Sequence, residues 1–368
     1  MGLHMNHLLS PTLTERYTPL EVIGHGAFAT VIKARSRHSG QLVAIKHFQH
    51  PSGQRHTFFR ELQLTVQLCH PNIVRCTDMY SADPSSSDLI LEFADRGNLR
   101  SQLETGQSLE VEQVLPIILH ITNGLVHAHN EGIIHRDLKP ENILIFTAQP
   151  HDIYKIADFG IAKFVGKQGK TLTNVGSPIY MAPEQFYDRY DIKTDIYALG
   201  ILFYELLHGN APFTGSHANI FKGHLEVAVP ISNNLPTQVR QLLHEMLAKR
   251  PEARPHAIAV RAALNLLASS YDINVSLPVF EDNNQRIDHP SGETLFAELF
   301  DTSQSVASDS TAPLSVSDPS VVSGTTTASP SRESIPIPEY TVTLDMHEKS
   351  ADHFFHFDDD MEPPARPN

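Results

Sequence analysis

A chain of 368 residues with 40% hydrophobic side chains can bury a sizeable core in one large domain or two ordinary ones. Its formal charge of −14 lies wholly in the last quarter: residues 271–368 carry 4 Lys and Arg against 18 Asp and Glu, whereas residues 1–270 carry 24 of each. This leaves no basic footprint for nucleic acid, two cysteines (Cys69 and Cys76) form no disulfide framework and suit a reducing cytoplasm, and the 22 histidines follow no repeated metal-ligand spacing.

Residues 1–16 read as a loose leader. They lack the charged and apolar regions of a signal peptide, and Asn6 stands where acylation after Gly2 requires Ser or Thr. From Tyr17 the pattern turns to strands. Residues 20–23 lead into Gly24-His25-Gly26-Ala27-Phe28-Ala29, and residues 30–34 lead out. A dinucleotide fingerprint would open a helix here. A glycine turn between two strands instead suits a lid over phosphates, because glycine lets the backbone come close. Taken by itself the stretch reads sooner as an ordinary glycine hairpin than as such a lid, and Ala29 replaces a third glycine.

Leu42-Val43-Ala44-Ile45-Lys46 is an apolar strand ending in one cation. Phe58, Leu62 and Thr65 recur at helical spacing, with Glu61 beside that face as a carboxylate partner for Lys46. His70-Pro71-Asn72 breaks this helix. Strands follow around 73–80 and 89–93, joined by a polar turn at 83–88. Asp95-Arg96-Gly97-Asn98-Leu99 then turns the chain into a helical region, so a cleft between a β-rich and a helical lobe is expected.

Val114, Ile117, Ile118, Ile121, Leu125 and Ala128 predict a helix over 114–130. It delivers the chain to His135-Arg136-Asp137-Leu138-Lys139-Pro140-Glu141-Asn142, where the acceptors Asp137 and Asn142 flank a Lys, a grouping ill suited to a core. Short strands follow at 143–145 and 154–157, the second ending in Asp158-Phe159-Gly160. A polar segment, 161–175, runs to Gly176-Ser177-Pro178-Ile179-Tyr180-Met181-Ala182-Pro183-Glu184. Residues 195–207 are apolar on nearly every side and predict a buried central helix, too short to span a bilayer. Further helices are expected at 236–248 and 256–268. Beyond about Asp272 the composition shifts, and Ser, Thr and Pro crowd residues 301–343, which predicts disorder. Two apolar islands, 295–300 and 354–357, are docking candidates.

In this order and spacing, 24–29, Val43-Ala44-Ile45-Lys46, Glu61, His135-Arg136-Asp137 with Asn142, Asp158-Phe159-Gly160 and Ala182-Pro183-Glu184 resemble the eukaryotic-like (Hanks-type) protein kinase family over about residues 17–268. The resemblance implies an α+β bilobal kinase fold. A small β-rich lobe would span about 17–94, a larger helical lobe about 97–268, and an acidic, mostly disordered tail 272–368. Lys139 is similar to the serine/threonine branch, and Gln185 and Tyr197 look like bacterial members. The implied reaction is transfer of the γ-phosphate of ATP, with Mg2+ (or Mn2+), to Ser and Thr hydroxyls of proteins, including this chain itself. Neither a nucleic-acid partner nor a membrane span is expected. The acidic tail would offer a docking surface to a partner protein.

The same resemblance implies roles. Asp137 would orient the acceptor hydroxyl and take its proton, Lys139 would stabilise the γ-phosphoryl group, and Lys46 with Glu61 would hold the α- and β-phosphates. Asn142 and Asp158 would hold the metal. The nucleotide would lie against Ile23, Gly24, His25, Gly26, Ala27, Phe28, Ala29, Val31, Ala44 and Lys46. Leu91 would stand at the back of the adenine site, with main-chain groups of Glu92 and Ala94 meeting the base. Ser177 would bond Asp137, where Thr is common, and Glu184 and Arg254 would form a buried ion pair under the substrate loop. Arg136 marks control by a phosphate on Thr171 or Thr173. The presence of Lys46, Asp137, Asn142 and Asp158 weighs against a pseudokinase serving as a nucleotide-binding interaction module. Lys139 and Ala182-Pro183-Glu184 weigh against a small-molecule phosphotransferase.

Overall fold

Alternating side chains and a glycine turn shape the first three strands: β1 (Tyr17–His25), β2 (Ala29–Ser36) and β3 (Leu42–Gln49). The computed structural model describes residues 9–26, 29–49, 68–83, 86–103, 106–159 and 178–273, all within one compact unit, residues 1–286. With β4 (Cys76–Asp83) and β5 (Ser86–Glu92), the strands build one antiparallel sheet in the order β1-β2-β3-β5-β4. Strand pairing continues to Asp83 and resumes at Ser86, so the link is shorter than the polar turn expected at 83–88. Polar residues there join the ladder instead of leaving it, and Asp88 is buried with its carboxylate on His47 Nδ1 at 2.8 Å.

Register aligns the sheet for its role. Gly24 lies opposite Val31, and Val31 opposite Lys46. Ala44, two residues before Lys46 and so on the same face, lies opposite Leu91. Two register shifts in β1, between Pro19 and Glu21 and between Val22 and Gly24, twist the strand as it approaches the glycine turn.

The loose leader expected over residues 1–16 is corrected for its described part, 9–16. Pro11–Arg16 form a short helix, α1, with Ser10 Oγ accepting from Leu13 N at 3.4 Å and Pro11 in the first turn, where its missing N–H leaves no bond unmade. Leu9 and Leu13 are buried with Ile32, Ala34, Ile45 and Ile90 in the core of the small lobe. Arg16 bonds the Tyr80 hydroxyl and pairs with Asp78 at 3.5 Å. A six-residue helix stands on such packing and not on its own propensity.

The helical lobe contains α2 (Leu99–Gln102), α3 (Val111–Asn130), the hairpin β6 (Ile143–Phe146) and β7 (Ile153–Ile156), α4 (Ile192–His208), α5 (His217–Glu226), α6 (Thr237–Met246) and α7 (Ala257–Ser270). Helix α3 begins three residues before its apolar pattern does, because Gln113 Oε1 turns back to accept Glu110 N at 3.0 Å. Helix α4 is likewise extended by its cap: Asp191 Oδ1 accepts from Lys193 N and Thr194 N, and Thr194 Oγ1 accepts from Asp191 N. Residues 194–207 of α4 are all buried, and α3, α6 and α7 share one core with them. Gly209, at φ +77°, ends α4 against residue 106. A Cβ there would lie 2.7 Å from the Gly106 carbonyl carbon.

The β6–β7 hairpin supports both chain segments that run between the lobes. Val74 N donates to Ile156 O at 2.8 Å and Ile156 N to Asn72 O at 2.9 Å. On the other side, Arg96 N donates to Ile145 O at 3.2 Å and Ile145 N to Gly97 O at 2.9 Å. Gly124 of α3 permits this layering, since a Cβ would meet Asn72 O at 2.7 Å. No described helix is long and apolar enough to cross a membrane. The expected helix around Glu61, the segment 161–175 with Thr171 and Thr173, Ala27, Phe28, Gly160, Ser177 and the tail from 274 onward all lie outside the described residues.

Candidate active site

Between the sheet and the helical lobe lies a cavity of about 740 Å³. Ile23, Gly24, His25, Gly26, Ala29, Val31, Ala44 and Lys46 line it from the first three strands and the glycine turn, Leu91 and Glu92 from the end of β5, and Ala94 from the linker (residues 93–98) that follows. Asp137, Lys139, Asn142 and Asp158 line it from the helical lobe. Every described residue assigned to nucleotide, metal or catalysis therefore faces one space. Phe48, Val74, Phe93, Asp95, Gly97, Asn98, Glu141, Leu144 and Ala157 also line it, and none of these has a role in the site assigned from sequence. The two-residue alternation of β6 carries a signal for one of them: Ile143 and Ile145 are buried, so Leu144 faces the other way. The end of β5 and the linker are held by their side chains. Glu92 takes both 2.8 Å bonds from Lys155 Nζ and a third from Arg75 N, and Asp95 Oδ1 accepts Thr147 N at 2.9 Å.

Loop 135–142 hangs from a buried carboxylate. Asp195, near the start of α4, accepts His135 N at 2.8 Å and His129 Nε2 at 2.9 Å through Oδ2, and Arg136 N at 2.9 Å through Oδ1. Burial alone would raise this carboxyl, but its bond to His129 and, after it, the His135 main-chain N–H hold it below the usual carboxylate range. Arg136 meets these bonds in the left-handed region, at φ 69°. Buried His135 then links loop to strand. Its Nδ1 accepts Asp137 N at 3.2 Å, so Nε2 is the end that donates to Ala157 O at 2.8 Å. Its ring also meets Phe159 edge-on at 4.8 Å.

The chemistry-bearing groups face each other across short distances. Lys139 Nζ donates to Asp137 Oδ2 at 2.8 Å. Asn142 Nδ2 donates to Asp137 O at 2.8 Å and to Oδ2 at 3.3 Å, which leaves the amide oxygen as the end for a cation. Lys46 Nζ bonds Asp158 Oδ1 at 2.5 Å. Burial opposes the Asp158 charge, yet Lys46, with Lys139 nearby, outweighs it and keeps the carboxyl below its ordinary range. One ionised carboxylate and one amide oxygen on an open cavity form a hard-oxygen donor set. It fits Mg2+, which keeps waters and substrate phosphates as its other ligands. Among the described residues, the ion-pair partner of Lys46 is Asp158; Glu61 lies outside them.

Glu184 and Arg254 lie apart from the cavity and form a buried pair. Arg254 Nη1 donates to Glu184 Oε1 at 2.6 Å and Nη2 to Oε2 at 2.8 Å. Gln185, the next residue, joins this layer to the loop by donating Nε2 to Arg136 O at 3.0 Å. Ser177, Thr171 and Thr173 cannot be placed against this frame, being outside the described residues.

The comparisons agree with the geometry. The description "Protein kinase domain" matches residues 17–266. A Lactococcus lactis protein named "Probable serine/threonine-protein kinase PknB" is 35% identical over 244 residues, 64% of this chain and 38% of the relative. Zebrafish (Danio rerio) serine/threonine-protein kinase Nek8 is 34% identical over 267 residues, 68% of this chain and 38% of the relative. A Clostridium perfringens protein, also named as a probable serine/threonine-protein kinase, is 31% identical over 291 residues, 76% of this chain and 42% of the relative. The chain thus matches only about two fifths of the length of these relatives. With matched family, five-stranded sheet, helical lobe and cleft all in agreement, the chain belongs to the protein kinase family.

Proposed function

We propose that the chain is an active serine/threonine protein kinase that transfers the γ-phosphate of ATP to protein hydroxyls. The supporting observation is the convergence of Lys46, Asp137, Lys139, Asn142 and Asp158 on one cavity. In this reading Asp137 accepts the hydroxyl proton as the oxygen bonds to the γ-phosphorus, and the bond to the β-phosphate oxygen breaks to release ADP. Lys139, 2.8 Å from Asp137, stands where it can balance charge on the γ-phosphoryl oxygens. Lys46 leaves Asp158 for the α- and β-phosphates, with Glu61 as its proposed partner. Mg2+ would neutralise phosphate charge, and Asp158 and Asn142 are the residues to hold it.

Beyond the reaction, autophosphorylation at Thr171 or Thr173, with Arg136 as the partner of the phosphate, is part of the same proposal. So is Ser177 as the partner of Asp137. A cytoplasmic setting is supported by two free thiols, Cys69 and Cys76. The acidic tail, 272–368, is proposed as a docking arm for a partner on its charge alone.

The test is transfer of labelled γ-phosphate from ATP to a generic protein substrate, with Asp137→Asn as control. Loss of the base should slow transfer by about 10²–10⁴-fold. Equal incorporation by both proteins would defeat the reading and favour the pseudokinase alternative. Mass mapping of the active enzyme should place phosphate on Thr171 or Thr173, and an active enzyme bare at both removes that part of the proposal.

A further inference from the structure

Arg100, the second residue of α2, joins three elements that are far apart in the chain. Its Nε donates to Glu141 Oε1 at 3.0 Å. Its Nη1 donates to Glu205 Oε1 at 2.8 Å, and Nη2 to Glu205 Oε2 at 3.4 Å and to the Tyr180 hydroxyl. Tyr180 donates in turn to Glu205 Oε2. Burial works against the guanidinium charge, but the bonds to Glu205 and Glu141 and the nearby Tyr180 raise its pKa above the ordinary value.

The position of this cluster gives it meaning. Glu141 lines the same cavity as Asp137 and Lys139, one residue before Asn142. Tyr180 lies between Ser177 and Ala182-Pro183-Glu184, on the segment expected to face the substrate. Two carboxylates and a phenol thus form an acidic recess beside the place where an acceptor hydroxyl must sit. The Arg100 side chain, 37% exposed, fills it from the solvent side, whereas the Glu205 side chain is only 9% exposed.

A guanidinium gripped at two points on a carboxylate is matched in shape as well as charge. Its removal would leave Glu205 nearly buried and uncompensated, a state costly enough to recruit another cation. An arginine side chain on a bound protein substrate has the right fork and approaches from the open side. We infer that Arg100 is a specificity-determining residue: by occupying the recess itself, it makes the enzyme indifferent to a basic side chain near the acceptor hydroxyl. Its loss converts the recess into an arginine-binding subsite. This inference rests on the protein kinase reading of the site.

The experiment uses the full chain, labelled ATP and a serine-acceptor peptide library in which each flanking position is fixed in turn as Arg or Ala. For the wild type the Arg/Ala ratio of kcat/KM should stay within about threefold of unity at every position. For Arg100→Ala it should rise at least about tenfold at one position, the worth of one charge-assisted pair. Ethylguanidinium, a soluble occupant of the vacated recess, should bring that ratio back toward unity. A merely structural Arg100 would lower all peptides together and leave the ratio unmoved. Thermal melting identifies a misfolded Arg100→Ala, in which case Arg100→Gln carries the same comparison. A wild type that already selects Arg tenfold, or a folded variant with the wild-type ratio, overturns the inference. Absence of labelled peptide from the wild type at every position overturns the kinase reading instead.

Discussion

Arg254 and Glu184 meet at two points, Nη1 on Oε1 at 2.6 Å and Nη2 on Oε2 at 2.8 Å, and the guanidinium leaves no donor unused. Its Nε serves Ala248 O at 2.7 Å, Nη1 also serves Lys193 O at 3.0 Å, and Nη2 serves Lys249 O at 2.9 Å. Its plane lies over the Tyr197 ring at 4.8 Å. Such a site needs five donors in one plane, which lysine cannot supply. Arg254→Lys and Glu184→Gln should each destabilise the chain by about 3–5 kcal/mol, because either leaves buried polar groups unmatched. Urea denaturation at neutral pH measures this; a loss below about 1 kcal/mol would mean the pair is solvated in solution.

Leu13 is fully buried in the core of the small lobe, although it lies before the first strand. Leu13→Ala should cost about 2–5 kcal/mol by the transfer and cavity terms of a core truncation. Exchange of α1 and β1 amides should quicken more than that of α4 amides. Unchanged exchange in α1 would return residues 9–16 to a loose leader.

These two sites mark where sequence reading succeeds and where it stops. Asp137, Lys139 and Asn142 were legible because one octapeptide carries them, and Lys46 because a lone cation ends an apolar strand. Glu184 and Arg254 were paired through the family resemblance. Nothing periodic marks Leu13, whose burial depends on Ile32, Ile45 and Ile90 folding over it. Asp195 was visible only as the start of an apolar helix. Its three donors come from residues 59–66 positions earlier, a separation that local pattern cannot register. Arg100, Tyr180 and Glu205 are each ordinary alone, and only the tertiary fold makes them a cluster.

His120 and His224 predict an acid-sensitive stability. Burial pulls each imidazole from 6.5 down to about 4, with Lys249 adding to the effect at His224. Between these values the unfolded chain binds protons that the folded chain refuses, so stability falls as pH falls from about 6.5 toward 4. Each ring contributes up to about 3 kcal/mol of this loss. The depressed carboxylates Asp158 and Asp195 act below that window, since their ordinary value is 3.8. Urea midpoints at pH 7.5 and 5.0 should therefore differ. The difference should shrink in His120→Asn, which keeps an acceptor for Tyr154 N but does not titrate. An unchanged difference in that variant would show that His120 takes up its proton while folded.

Asp195→Asn separates the support of the loop from its chemistry. An asparagine side chain has one oxygen where the carboxylate has two, so it cannot accept from both His135 N and Arg136 N in the present arrangement. One main-chain donor is then left facing an amide N–H, at a cost of about 1–3 kcal/mol. The left-handed Arg136, at φ 69°, loses the bond that holds it there. Asp137, the next residue, should drift with it, and a displacement near 1 Å can lower kcat by about 10²-fold. KM for ATP should change little, because Lys46, the glycine turn and the linker do not depend on Asp195. Steady-state kinetics with varied ATP and fixed protein substrate would read both constants. A rise in KM for ATP with kcat intact would mean that Asp195 supports the nucleotide site and not the position of Asp137.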